Sequence, residues 1–151
     1  MFLMGLCSCS QIEWTELPPP PKAINIDEYK RTLAKSRQVS YQLEIDFPDN
    51  STIKYYDDQL GPGWIKCDGR QKGWQSFGDV SGEKPYNIHQ NLQYWANFVE
   101  GRILCLSLRY YSELRKCRKS PDTNQQHVVI LEIVPNDIKE DLEFLNLTCR
   151  Q

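Results

Sequence analysis

The stretch YNIHQNLQYWANFVEG, residues 86–101, decides between two architectures, because its apolar residues fit two periods at once. Read as a helix, Ile88, Leu92, Trp95 and Val99 make one stripe, and His89, Gln90, Gln93, Asn97 and Glu100 share the opposite face. Asn87 with Gln90 supplies a capping box, and Gly101 sits where a helix-ending glycine belongs. Read as a strand, Leu92, Tyr94, Ala96 and Phe98 alternate, and a Val99-Glu100-Gly101 loop aligns Ala96, Tyr94 and Leu92 with Leu104, Leu106 and Leu108. The helix is preferred, since its polar face is cleaner and both ends are marked. The following RILCLSLRYY, residues 102–111, is a strand in either case.

Toward the N-terminus, Asn25 with Glu28 three residues on marks a helix start, and Ile26, Tyr29 and Leu33 recur at helical spacing. This predicts a helix over residues 26–37. The period then changes to two: in VSYQLEIDF, residues 39–47, apolar and polar positions alternate strictly, as in a half-buried strand. PDNS, residues 48–51, turns it, and TIKYY, residues 52–56, returns beside it. In WIKCDGRQKGW, residues 64–74, Asp68-Gly69 is the pair a type I′ hairpin requires, with Trp64 set opposite Gly73.

Toward the C-terminus, residues 112–126 lack periodicity and form a long loop, while HVVILEIV, residues 127–134, is a central strand buried on both faces. PNDIKEDLEFLN, residues 135–146, closes with a helix capped by Asn136 or Asp137, with Ile138, Leu142 and Leu145 toward the core. The expected fold is α+β: an antiparallel β-sheet meander of about six strands with N-terminal, middle and C-terminal helices.

The 151 residues suffice for one globular domain, and 40 % hydrophobic with 25 % charged residues is ordinary for one. A net charge of −2 offers no field for polyanions, which argues against nucleic-acid binding.

The chain begins MFLMGLCSCS, an apolar run ending in two cysteines. Leu6-Cys7-Ser8-Cys9 resembles the lipobox of bacterial lipoproteins: an aliphatic residue, a tolerant position, a small residue, then the cysteine that is modified. The resemblance implies lipidation of Cys9, loss of residues 1–8 as a signal-peptide remnant, and a membrane anchor of two or three acyl chains. Ser10, where the family's retention signal has Asp, implies the outer membrane. Residues 9–23 then form a proline-rich tether carrying PPPP, a semi-rigid polyproline spacer, and residues 24–151 form the globular domain. Trp14 is unusual for a free linker and is expected to dock on the domain.

Six cysteines stand at 7, 9, 67, 105, 117 and 149. With Cys7 removed and Cys9 acylated, Cys67, Cys105, Cys117 and Cys149 are candidates for disulfides in an oxidising periplasm, in any of three connectivities. No C-x-x-C spacing occurs and only His89 and His127 are available, so neither a metal nor another cofactor is expected. No catalytic motif is present, and the paired acids Asp57-Asp58 read as a turn; the chain is not expected to be an enzyme. The basic run Arg109, Arg115, Lys116, Arg118 and Lys119 is the candidate surface for a partner.

The expected function is therefore non-catalytic: a lipid-anchored envelope protein that binds a protein partner or assists an assembly. An inhibitor or immunity lipoprotein neutralising a toxin or hydrolase is the alternative. A third reading follows from the order helix, meander and CDGRQKGW, which is similar to the localisation-factor fold of lipid and lipoprotein carriers; it implies an apolar cavity of several hundred Å³.

Overall fold

A computed structural model describes residues 12–79, 86–113 and 124–150. Among them are eight strands and two short helices: β1 (Ile24–Arg31), β2 (Ser36–Leu43), α1 (Ser51–Gln59), β3 (Trp64–Asp68), β4 (Trp74–Asp79), β5 (Tyr86–Asn97), β6 (Arg102–Glu113), β7 (Gln126–Ile133), α2 (Ile138–Phe144) and β8 (Thr148–Cys149). The strands form one antiparallel sheet in the order β1-β2-β7-β6-β5-β3-β8, with β4 also against β5. The fold is therefore β-rich rather than α+β, and neither the N-terminal nor the middle helix exists.

Residues 86–97 are the long strand β5, paired over its whole length with β6. The turn contains Phe98 as well, so Asn97 faces Arg102 and Ala96 faces Ile103, one residue away from the strand register expected. Gly101, at φ 65°, makes the turn rather than ending a helix. Tertiary pairing explains the outcome, because β6, paired with β7 on one side, leaves on its other side a row of backbone donors and acceptors that an extended β5 satisfies and a helix would not.

The predicted helix over residues 26–37 is a hairpin, with Asp27 opposite Ser40 and Arg31 opposite Ser36. Its helical spacing carried no burial information, since Ile26, Tyr29 and Leu33 are all exposed. Residues 52–56 are helical instead of extended. The Asp49 carboxylate accepts from the Ser51 backbone N–H at 2.8 Å, Lys54 and Asp58 pair one turn apart, and Thr52 and Tyr56 bury the same face. The expected Asp68-Gly69 hairpin is absent. β3 and β4 lie end to end along one edge of β5, with Trp64 opposite Asn97 and Trp74 opposite Asn91.

β2 is the expected alternating strand, shifted to residues 36–43, and buries Val39, Tyr41 and Leu43. β7 is central, as expected, but buried on one face and half-buried on the other, and β8 follows it. α2 is present, capped by Asp137, whose side chain accepts from the backbone of Lys139 and Glu140. Leu142 is buried, Ile138 is partly buried against the core and Leu145 is 38 % exposed. Most of the loop expected over residues 112–126 lies outside the described residues.

The two faces differ. On the first, Val39, Tyr41, Leu43, Trp95, Leu104, Leu106, Leu108, Val128 and Ile130 pack under Tyr56 of α1 and under Leu17 of the N-terminal segment. On the second, α2 covers one end, with Leu142 against Cys67, Ala96 and Ile103. The domain is closed there by the Cys67–Cys149 disulfide between directly opposed residues of β3 and β8.

Candidate functional site

The first face carries a buried acid at one end of its apolar row. Glu132 on β7 shares that face with Val128 and Ile130, and its side chain is wholly buried. Alternation forces this placement, because Glu132 is two residues from Ile130. The charge is compensated: Arg37 donates to one carboxylate oxygen at 3.0 Å and Arg102 to the other at 2.7 Å. The Thr15 backbone N–H (3.1 Å) and hydroxyl (2.8 Å) complete the set. A buried carboxylate met by this many donors fixes what surrounds it.

That set docks the N-terminal segment. Arg37 also donates to the Thr15 carbonyl and lies 5.9 Å from the Trp14 ring centroid, in cation–π range. Leu17 is only 6 % exposed, and the Tyr55 hydroxyl donates to the Pro18 carbonyl at 2.8 Å. Trp14 does sit against the domain, and residues 14–18 are a strap bound to the sheet and to α1 rather than a free spacer.

Where the strap leaves the sheet, a cleft of about 890 Å³ opens between it, the end of β2 and α1. Pro20, Ala23, Leu43, Ile45 and Tyr55 supply apolar walls; Lys22, Glu44 and Ser51 bring polar groups. Thr52, at its floor, is held by a buried network: its hydroxyl donates to the Gln126 side-chain oxygen at 3.1 Å, and the Gln126 amide donates to the Asp49 carbonyl at 2.7 Å and to the Tyr110 hydroxyl at 3.2 Å. Beside it the Tyr41 and Tyr56 hydroxyls are hydrogen-bonded to each other at 2.8 Å. Burial pushes Tyr56 and Tyr110 up to about 12 and Tyr41 further in the same direction, so all three stay neutral donors at physiological pH. The floor of the cleft is uncharged, whereas Lys22 and Glu44 bring charge to its lining.

Of the expected site residues, Cys67 and Cys149 form the disulfide and Cys105 is a free thiol. Burial pushes the Cys105 thiol up to about 11, against a smaller lowering by Tyr94. Arg109 lies on the second face in a polar row across five strands, Gln42, His127, Arg109, Gln90 and Gln75. It is therefore on the side of the sheet opposite the cleft. Cys9, Cys117, Arg115, Lys116, Arg118 and Lys119 lie outside the described residues. His89 is on a strand, its Nδ1 2.7 Å from the Ser76 hydroxyl and its Nε2 3.1 Å from the Ser112 hydroxyl. His127 is 3.3 Å from the Gln42 amide and stacks edge-on with Tyr111.

Asp57 and Asp58 belong to α1, not to a turn. Asp57 accepts from the buried Trp95 indole at 2.8 Å and pairs with Lys66, while Asp58 pairs with Lys54. Each acid has a structural partner. Among the described residues no group of three or more His, Cys, Asp or Glu side chains is placed to hold a metal ion.

Sequence reasoning missed Thr15, Arg37, Arg102 and Glu132. One signal was present, the single acid inside HVVILEIV, but its partners come from three other segments. Compared with family models, with curated proteins and with solved structures, the chain matches none of them.

Proposed function

We propose that this chain is a lipid-anchored bacterial envelope protein of non-catalytic binding type, tethered through Cys9, whose ligand site is the cleft between strap and α1. The cleft carries the reading. At about 890 Å³ it lies within the usual range for small-molecule sites, and it combines apolar walls with a few polar groups at the rim. An acyl chain or another unbranched apolar segment fits such walls, with Lys22 beside an anionic headgroup. The carrier reading loses the N-terminal helix and the Asp68-Gly69 turn on which it was based, and the inhibitor reading gains no particular support.

The strap gives the anchor a mechanical meaning. Four residues lie between Cys9 and Trp14, five steps that span at most about 18 Å when extended. A domain whose strap is docked at Trp14 stays close to the bilayer.

Two measurements test the reading. Intact mass of the protein purified from membranes, beside a Cys9→Ala control, should show loss of residues 1–8 and added acyl mass in the unsubstituted protein alone. Titration with a fluorescent fatty acid should show saturable binding that Ala23→Trp, filling the cleft, abolishes. An unlipidated product retaining residues 1–8 removes the anchor, and equal binding by the Ala23→Trp variant removes the site.

A further inference from the structure

Strand β1 is an edge of the sheet, and all eight of its residues are exposed. Its outer backbone groups therefore have no strand partner among the described residues, and Ile26 and Tyr29 present 56 % and 57 % of their surface. An open edge of this kind invites another strand. Its regular portion is short: the pairing with β2 shifts between Ile24 and Asp27, around Asn25 at φ 53°, and runs without interruption from Asp27 to Arg31.

The sequence of that portion is Asp27-Glu28-Tyr29-Lys30-Arg31, two acids and two bases about one tyrosine. In antiparallel pairing, directly opposed residues both turn their N–H and C=O toward the partner or both turn them away. Those directions alternate along a strand, so two copies of β1 can pair only in registers whose opposed residue numbers add to an even sum. Centring on Glu28 sets Glu28 against Glu28, and centring on Lys30 sets Lys30 against Lys30. Centring on Asp27 or Arg31 does the same with those residues. Centring on Tyr29 places Tyr29 against Tyr29, Glu28 against Lys30 and Asp27 against Arg31, four opposite-charge pairs and no like-charge pair. It also uses the regular portion from end to end.

We infer that β1 is a self-recognition edge at which a second copy of this chain adds in antiparallel register about Tyr29, joining two sheets into one across a two-fold axis. Opposed residues share a face, so Glu28 and Lys30, already 3.4 Å apart within one copy, exchange partners across the axis. Arg31, now 5.5 Å from its own Tyr29 ring, meets Asp27 of the second copy. The strap lies beside Ile26 and Glu28 on the first face, where Glu28 also stands 4.0 Å from Arg37, and no strand among the described residues pairs with the outer edge. The inference uses neither the cleft nor the lipid, and so stands or falls apart from the function proposed above.

Sedimentation velocity on the full chain carrying Cys9→Ala, which removes any contribution from acyl chains, tests it. A weak monomer–dimer equilibrium is expected, with a midpoint on the order of 10–100 μM, weakening with added salt. Lys30→Glu with Arg31→Glu makes the edge all acidic, and Asp27→Lys with Glu28→Lys makes it all basic. Each variant alone should shift the midpoint upward by about tenfold or more, their equimolar mixture should form a heterodimer, and all four changes together should restore self-association. Near-UV circular dichroism shows that each variant is folded, and the four-fold swap controls for loss of the native side chains. A parent protein that stays monomeric to about 1 mM overturns the inference, as does a dimer indifferent to these changes or a folded mixture that forms no heterodimer.

Discussion

Thr15 and Glu132, separated by 117 residues, are joined by two hydrogen bonds that fasten the strap to the central strand. Arg37 and Arg102 hold the same carboxylate. Glu132→Gln keeps the shape but leaves the largely buried Arg102 guanidinium without this counter-charge and Arg37 with only Glu28, at 4.0 Å. The expected loss is about 3–5 kcal/mol, measured by urea denaturation. Thr15→Val should cost about 1–3 kcal/mol, and the double variant should lose less than the sum, because both changes act on one carboxylate. Additive losses would mean that strap and arginines are held independently.

The disulfide ties β8 and the end of α2 to β3 across a separation of 82 residues. Closing a loop of that length stabilises by up to about 4.5 kcal/mol in the chain-entropy picture, and about 2–4 kcal/mol is usual. Cys149→Ser should show that loss, with hydrogen exchange rising first in residues 138–149. A uniform rise over the whole sheet would contradict the placement of α2 as a separate cover on the second face.

Cys105 should be a poor nucleophile. With its thiol pushed up to about 11 by burial, its thiolate fraction at pH 8 is about 100-fold below that of an ordinary cysteine at 9. Alkylation with iodoacetamide, read by peptide mass mapping so that other thiols are counted apart, should be slow in the native protein and fast in urea. Equal rates in both states would show that the thiol is not buried.

Alkaline pH should unfold the protein in a defined window. Tyr56, Tyr94 and Tyr110 are pushed up to about 12 and Tyr41 is raised as well, in each case chiefly by burial. In the unfolded chain they titrate near 10, so between about 10 and 12 the unfolded state has lost protons that the native state keeps. The stabilisation is fully present below pH 10 and is lost as pH rises through 12. Urea midpoints across pH 8–12, followed with tyrosinate absorbance, check this. A flat profile in that window would remove these tyrosines from the core.

What the sequence determined by itself is the set of segments whose periodicity is read by one buried face. β2 alternates because one side faces the core, β7 is apolar because it lies in the middle of the sheet, and Asp137 caps α2 from within its own turn. Trp14 announced a docked strap because an indole in a linker needs a surface to cover it. Only tertiary structure decided the rest. Residues 86–97 satisfy both periods, and the neighbouring β6 selects the extended one by offering twelve aligned partners. Residues 26–37 carry helical spacing with no burial behind it, so pairing with β2 overrides it. The strap network and the cleft draw on Thr15, Arg37, Tyr55, Arg102 and Glu132, residues far apart in the chain. Local propensity has no means of expressing such a site, since each of its members is unremarkable until the sheet brings the others within hydrogen-bond reach.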